Sequence, residues 1–164
     1  MMRLRDAVHA VHQRAQAQAD FQAGCMLRRT NEVKLYTEFF QTLDEWMRPY
    51  VAEEKIQTRR SETQITHPAL GELSVPALSI RPLPTAEIEV TVTPTGTTCA
   101  NIRNEIKLKR ADGLSRAEDY FIYKLVSDGE NARWFIARRS RNAGKPKLLL
   151  ADTFEEAVCA LFLA

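Results

Sequence analysis

The hydrophobic positions near the start of the chain recur every three or four residues, with Ala, Gln and Arg filling most positions between them. The members of this stripe are Leu4, Val8, Val11 and Ala15. Such spacing places the apolar residues on one side of a helix, and the intervening residue types favour helix. We predict a first helix over residues 4–23 that stops at Gly24. Its apolar stripe is thin, so we expect it to lie on the rest of the domain or to pair with a copy of itself.

A second helical pattern begins at Asn31, a good N-cap residue, with Glu32 in the first turn. Its apolar positions again follow the helical period, and they are Val33, Tyr36, Phe40, Leu43, Met47 and Tyr50. Pro49 removes a backbone donor and crowds the preceding turn, so we expect it to kink the helix or end it near Met47.

Beyond residue 55 the pattern changes to the period of two that is typical of strands. Residues 58–66 and 72–80 flank a turn that contains Pro68 and Gly71, which predicts a hairpin. Pro76 favours an edge strand or a bulge in the second of these strands. Further strands are predicted at residues 86–93, 104–109, 119–127, 132–140 and 147–151.

A final helix is predicted from Asp152 and Thr153, because Thr153 and Glu156 have the spacing of a capping box. Its apolar face is expected to cover a sheet. The predicted fold is therefore α+β, with two N-terminal helices, an antiparallel sheet of five to seven strands and a C-terminal helix packed on the sheet. We expect one domain over residues 1–164, divided into a helical part (1–55), a sheet (56–151) and the last helix (152–164).

Two segments carry a family resemblance. The stretch THPALGELSVPALSIRPLPTAEIEVTV (residues 66–92) resembles a segment found in a family of small uncharacterised bacterial proteins, in which a V-P-x-L strand is followed by a P-x-P turn and an acidic strand. The stretch DAVHAVHQRAQAQADF (residues 6–21) is similar to the Ala/Gln-rich helix with which that family begins. The resemblance covers about a third of the chain. It implies an N-terminal helix followed by an antiparallel sheet, and it implies no activity.

The composition of the chain indicates a globular protein and gives no sign of a secreted or membrane-spanning one. The 164 residues are 45% hydrophobic and 27% charged, which is ordinary for a globular chain. The start of the chain lacks the continuous apolar core of a signal peptide, and no stretch approaches the roughly 20 apolar residues of a membrane span. Three widely separated cysteines, Cys25, Cys99 and Cys159, favour neither a disulfide framework nor a zinc site. We therefore expect a cytoplasmic protein that does not enter the membrane.

The net charge of +2 is unevenly distributed. Residues 133–147 contain six basic residues without an acidic one, next to two aromatic residues. The candidate binding residues of this basic segment are Arg133, Trp134, Phe135, Arg138, Arg139, Arg141, Lys145 and Lys147. In an extended strand Arg133 and Arg139 fall on one face and Arg138 on the other, so neither face is purely basic. The charge should collect at the end of the strand, near Lys145 and Lys147. Guanidinium and ammonium groups there could bind phosphates, or they could simply protect a solvated edge strand.

Enzymatic chemistry has little support in the sequence. The glycine-rich motifs that cradle nucleotide phosphates are missing among only six glycines, so no cofactor is expected. His9 and His12 lie one helical turn apart, and with Cys25 or a carboxylate they would form the metal site of a metal-dependent enzyme, our third hypothesis.

The leading functional prediction is a non-enzymatic protein that binds a protein partner or self-associates through its first helix. The alternative is a nucleic-acid-binding accessory protein that uses the basic segment on phosphates, with Trp134 or Phe135 stacking on a base.

Overall fold

The computed structural model describes residues 3–85, 87–99, 101–112, 118–129, 131–139 and 145–164. This part of the chain contains two α-helices, seven strands and a single 3-10 turn at Val126–Asp128. The α-helices and strands are α1 (Leu4–Ala52), β1 (Ile56–His67), β2 (Gly71–Pro82), β3 (Val90–Pro94), β4 (Ile102–Arg110), β5 (Tyr120–Leu125), β6 (Trp134–Arg138), β7 (Lys147–Leu148) and α2 (Ala151–Phe162). The α+β class is therefore confirmed, with one helix before the sheet and one after it.

The two predicted N-terminal helices are a single helix, so that prediction was wrong. α1 runs for 49 residues, about 74 Å at 1.5 Å per residue, and it passes through both Gly24 and Asn31. A glycine inside a helix costs only about 1 kcal/mol relative to alanine, and helix-favouring residues flank Gly24 on both sides. The glycine therefore weakens the helix without ending it.

Pro49 also lies inside α1, in its last turn. The helix continues for three residues beyond it, and the backbone N–H of Glu53 donates to the carbonyl of Pro49 at 3.1 Å. A proline this close to the end removes one intrahelical hydrogen bond while leaving few later turns to disturb. The expected stop near Met47 was therefore several residues early.

The strands form one antiparallel sheet in which spatial order follows chain order from β1 to β7. The predicted hairpin is confirmed, since β1 pairs with β2 along its full length from Ile56 to His67. Pro76 lies in β2 without a register shift, although β2 is the second strand of the sheet. It is tolerated there because β3 pairs with β2 only from Leu78 to Ile80, so Pro76 lies outside that second ladder.

The core is one cluster of buried side chains contributed by the second half of α1, the sheet and α2. Its largest fully buried side chains come from both helices and from four strands, and they are Tyr36, Phe40, Leu43, Val75, Leu78, Ile80, Val90, Ile106, Leu108, Ile122, Phe154 and Leu161. The rings of Trp46 and Phe154 lie 6.0 Å apart and join the two helices. Burial of this apolar surface is the main force that holds the helices on the sheet.

α2 is held at both ends by side chains. Thr153 lies inside the first turn, where its Oγ1 accepts a hydrogen bond from the backbone N–H of Leu150 at 2.8 Å, in place of the expected pairing with Glu156. At the other end Arg110 donates to the carbonyl of Leu161 at 3.3 Å, where a cation also favours the helix dipole. Within the described residues neither helix has a run that is long and apolar enough to cross a membrane.

Candidate functional site

The basic segment maps onto β6, β7 and the residues beside them. Arg133 precedes β6, Arg138 ends it, and Lys147 begins β7. Lys145 is exposed just before β7, and Arg141 lies outside the described residues. The segment therefore contributes cations to the last two strands of the sheet.

Three of these cations face carboxylates of the same chain. Arg139 lies 3.8 Å from Glu105, Arg138 lies 4.0 Å from Glu118, and Lys147 lies 3.4 Å from Glu156. The guanidinium of Arg139 also lies 4.3 Å from the centre of the Phe121 ring. The pairs of Arg138 and Lys147 are exposed on both sides and contribute little stability, whereas Glu105 is buried. All three pairs reduce the positive charge that a polyanion would meet.

The two aromatic residues of the segment pack on opposite faces of β6. Trp134 faces α1, where its ring lies 4.6 Å from that of Phe39 and the Lys124 ammonium lies 4.9 Å from its centre. Phe135 lies on the other face and stacks with Tyr123 at 6.4 Å. Both rings therefore already have partners within the fold, and they do not form a shared platform for bases.

A groove of about 690 Å³ separates α1 from β6, β7 and the start of α2. Its walls combine apolar side chains with charged residues at the rim, and include Leu35, Phe39, Trp46, Lys124, Arg133, Trp134, Leu148, Leu149 and Leu150. Burial, together with the nearby charge of Arg103, lowers the pKa of Lys124. Of the predicted site residues, Arg133 and Trp134 thus line this groove.

A polar cluster that the sequence did not reveal joins α1 to β4. The pairing of β4 with β5 shifts between Arg103 and Ile106, and this bulge buries two consecutive polar residues, Asn104 and Glu105. Asn104 adopts a left-handed backbone conformation (φ 57°), and its side-chain amide donates to the Glu32 carboxylate. The bulge turns neighbouring residues to opposite faces of the sheet, a register change that strand alternation alone does not predict.

Tyr36 completes this cluster on the helix side. The amide of Asn104 lies 3.4 Å from the Tyr36 hydroxyl. Burial raises the pKa of Tyr36 to about 12, the hydrogen bond with Asn104 opposes that rise, and the negative charge of Glu32 adds to it. The cluster therefore fixes the second half of α1 against the sheet through polar contacts as well as apolar ones.

The first half of α1 extends beyond the sheet, and we call residues 4–28 the arm. The arm's hydrogen bonds in the described chain stay within α1 and its first turn, for example from Gln16 to Asp20 at 3.0 Å. Large apolar side chains of the arm are exposed, namely Leu4, Val8, Val11, Phe21, Met26 and Leu27. The contact with the sheet begins at Arg29, whose guanidinium donates to the carbonyls of Leu70 and Glu72.

His9 and His12 are both exposed on the arm. Cys25 is 13 residues beyond His12, which is about 20 Å along a straight helix. The described residues contain no group of three or more His, Cys, Asp or Glu side chains placed to hold a metal ion. The structure thus does not bring these three residues together.

Searches of protein-family models, of curated proteins and of solved structures found no match to this chain. The resemblance carried by residues 66–92 and 6–21 therefore stays a prediction, and functional inference depends on the geometry described above.

Proposed function

We propose that this chain is a non-enzymatic interaction protein that presents the arm to another helix. The observation that carries the proposal is the exposure of six large apolar side chains on a segment without packing against the described part of its own sheet. Four of them, Leu4, Val8, Val11 and Met26, share one side of the helix, and exposed apolar surface of this kind is characteristic of protein interaction sites. An amphipathic helix binds other proteins by laying its apolar side against a second helix or into a groove.

The physical state of the arm supports the same proposal. Tertiary packing of an apolar side supplies most of the stability of a helix in a protein, more than the helix propensity of its residues does. The arm receives no such packing from the described sheet residues. A partner that covered its apolar side would supply the missing stabilisation.

The proposal includes a cytoplasmic location. Cys25, Cys99 and Cys159 are free thiols in this structure, and free thiols are typical of a reducing compartment.

Nucleic-acid binding by the basic segment is the alternative, and it has weaker geometric support. Arg138, Arg139 and Lys147 each face a carboxylate, and Trp134 is packed against α1. Binding to phosphates would release counterions and would weaken steeply as salt increases. We expect no such salt-dependent binding of single-stranded or duplex oligonucleotides, and its observation would favour the alternative.

Deletion of residues 1–26 tests the proposal. If the arm exists for interaction, the shortened chain should keep the near-UV circular dichroism and the urea midpoint of the full chain at a concentration where both are monomeric. A shortened chain that fails to fold would show that these residues are part of the structural core, and the proposed function would then be rejected.

A further inference from the structure

One side of the arm carries seven residues, which we call the stripe, and the intervals between them are the same when counted from either end of the helix. Its members lie at intervals of 4, 3, 4, 4, 3 and 4 residues, and they are Leu4, Val8, Val11, Ala15, Ala19, Gln22 and Met26. Residues at these intervals share one side of a helix. The four large apolar side chains are between 47% and 81% exposed, and every charged residue of the arm lies outside the stripe. The stripe is therefore an uncharged surface whose spacing is symmetric about Ala15, with Val8 and Gln22 in equivalent positions.

This symmetry fits a second copy of the same chain. When two helices pair antiparallel about a two-fold axis through Ala15, residue i of one copy lies opposite residue 30 − i of the other. Leu4 then meets Met26 of the second copy, and Val11 meets Ala19. Small residues at the centre allow the helix axes to approach to about 8 Å, while the larger Leu4 and Met26 close both ends of the contact. Such a self-complementary contact is what a two-fold homodimer requires.

The chain's own fold selects the antiparallel direction. Three residues after Met26, Arg29 binds the turn between β1 and β2 through the carbonyls of Leu70 and Glu72. Because Arg29 lies three residues after Met26, the turn that it binds lies on the side of α1 that carries the stripe. A parallel partner would run into the turn and would bring its own turn to the same place. An antiparallel partner begins its helix opposite Met26, at Leu4, and leaves the two sheets and their turns at opposite ends of the pair.

The size of the contact is sufficient for a specific but modest dimer. The stripe spans 22 residue steps, about 33 Å of helix. Two helices in contact over that length, with the turns at either end, bury on the order of 1,000 Å², which is the lower bound for a specific interface. We therefore propose that the arm docks antiparallel on the arm of a second copy, with Ala15 at the two-fold axis. This inference rests on the proposed function and names its partner.

Disulfide cross-linking tests both the partner and its direction. In a chain whose three cysteines are replaced by serine, Ala15→Cys should place two thiols at the axis and give a covalent dimer under mild oxidation. A disulfide requires Cα atoms within about 7 Å. The matched control retains only the natural Cys25, which lies ten residues from the axis. Its copies would be about 30 Å apart in the antiparallel pair and should not cross-link.

The other outcomes would overturn the inference. Efficient cross-linking through Cys25 would show a parallel pair. Failure of both variants to cross-link, with a light-scattering mass of 18.7 kDa at every concentration, would exclude a second copy as the partner. If the chain lacking residues 1–26 still folds in that case, the proposed function survives with a different partner. Val11→Glu, which places charge in the stripe, should abolish the dimer and leave the monomer folded.

Discussion

The two halves of α1 belong to one uninterrupted helix, yet they meet different surroundings. Residues 29–52 lie on the sheet and contribute Tyr36, Phe40 and Leu43 to the core, whereas residues 4–28 expose their apolar side chains. Both halves carry apolar residues at helical spacing. The comparison shows that an amphipathic stripe predicts a contact without saying whether the contact lies within the chain. Whether an apolar stripe on α1 finds its contact within the chain depends on where along the helix the sheet ends.

The largest difference should appear when phenylalanine is removed from each half. Phe40 is fully buried and Phe21 is 67% exposed on the same helix. Phe40→Ala should lower the free energy of unfolding by about 3 to 5 kcal/mol, because it removes buried apolar surface and leaves a cavity. Phe21→Ala should change it by less than about 0.5 kcal/mol. Urea unfolding of the two variants measures this contrast, and similar losses would refute the division of α1 into two halves.

The polar attachment of the second half can be weakened separately. Asn104→Ala removes the hydrogen bond to Glu32 and places alanine at a positive φ, so we expect a loss of about 2 to 3 kcal/mol. Asn104→Gly also loses the hydrogen bond but tolerates the backbone conformation. It should therefore be about 1 kcal/mol more stable than the alanine variant in urea unfolding. Equal stability of the two variants would mean that the left-handed backbone carries no cost.

The sequence predicted the stripe over residues 33–50 well, because burial of Tyr36, Phe40, Leu43 and Met47 follows directly from their spacing. The predicted end of the first helix at Gly24 was wrong, because helix-favouring residues on both sides offset the roughly 1 kcal/mol that a glycine costs a helix. Propensity alone therefore cannot say whether two helical patterns are joined. The apolar stripe of the arm crosses Gly24 on its way to Met26. It could not be predicted in full from the sequence, because the first helix was expected to stop at that glycine.

The structure of the basic segment was also predicted only in part from the sequence. Its position on the last strands was predicted, but the partners of Arg138 and Arg139 were not. Glu105 is 34 residues away from Arg139, and it faces that side of the sheet because of the bulge in β4. Which charges neutralise one another depends on this register, which local patterns do not encode.

Substitution by alanine should have smaller and opposite effects at Gly24 and at Gly71, because the surroundings of these two glycines differ. A Cβ at Gly24 would meet nothing within 4 Å, and Gly24→Ala should stabilise the arm helix by about 1 kcal/mol. Amide exchange of the arm should slow about fivefold while the urea midpoint stays unchanged. Gly71 has a φ of 77°, so Gly71→Ala should lower the urea midpoint instead. A shift of the urea midpoint in Gly24→Ala would show that the arm unfolds together with the sheet.

The smallest effect at neutral pH concerns Tyr36. Burial raises its pKa from its ordinary value of 10.0 to about 12. A group with a raised pKa contributes stability that is complete below the unfolded value and is lost as pH rises toward the folded one. Stability should therefore fall between about pH 10 and pH 12, and phenolate absorbance should show a late step that Tyr36→Phe removes. A Tyr36→Phe titration identical to that of the parent chain would contradict this assignment.

Amide hydrogen exchange along α1 tests the central comparison most directly. At a concentration where light scattering gives the 18.7 kDa monomer, the account predicts weak protection for residues 4–28. It predicts protection at least about a hundredfold stronger for buried residues beyond Arg29, because these open only when packing on the sheet is lost. Uniform protection from one end of α1 to the other would contradict the account.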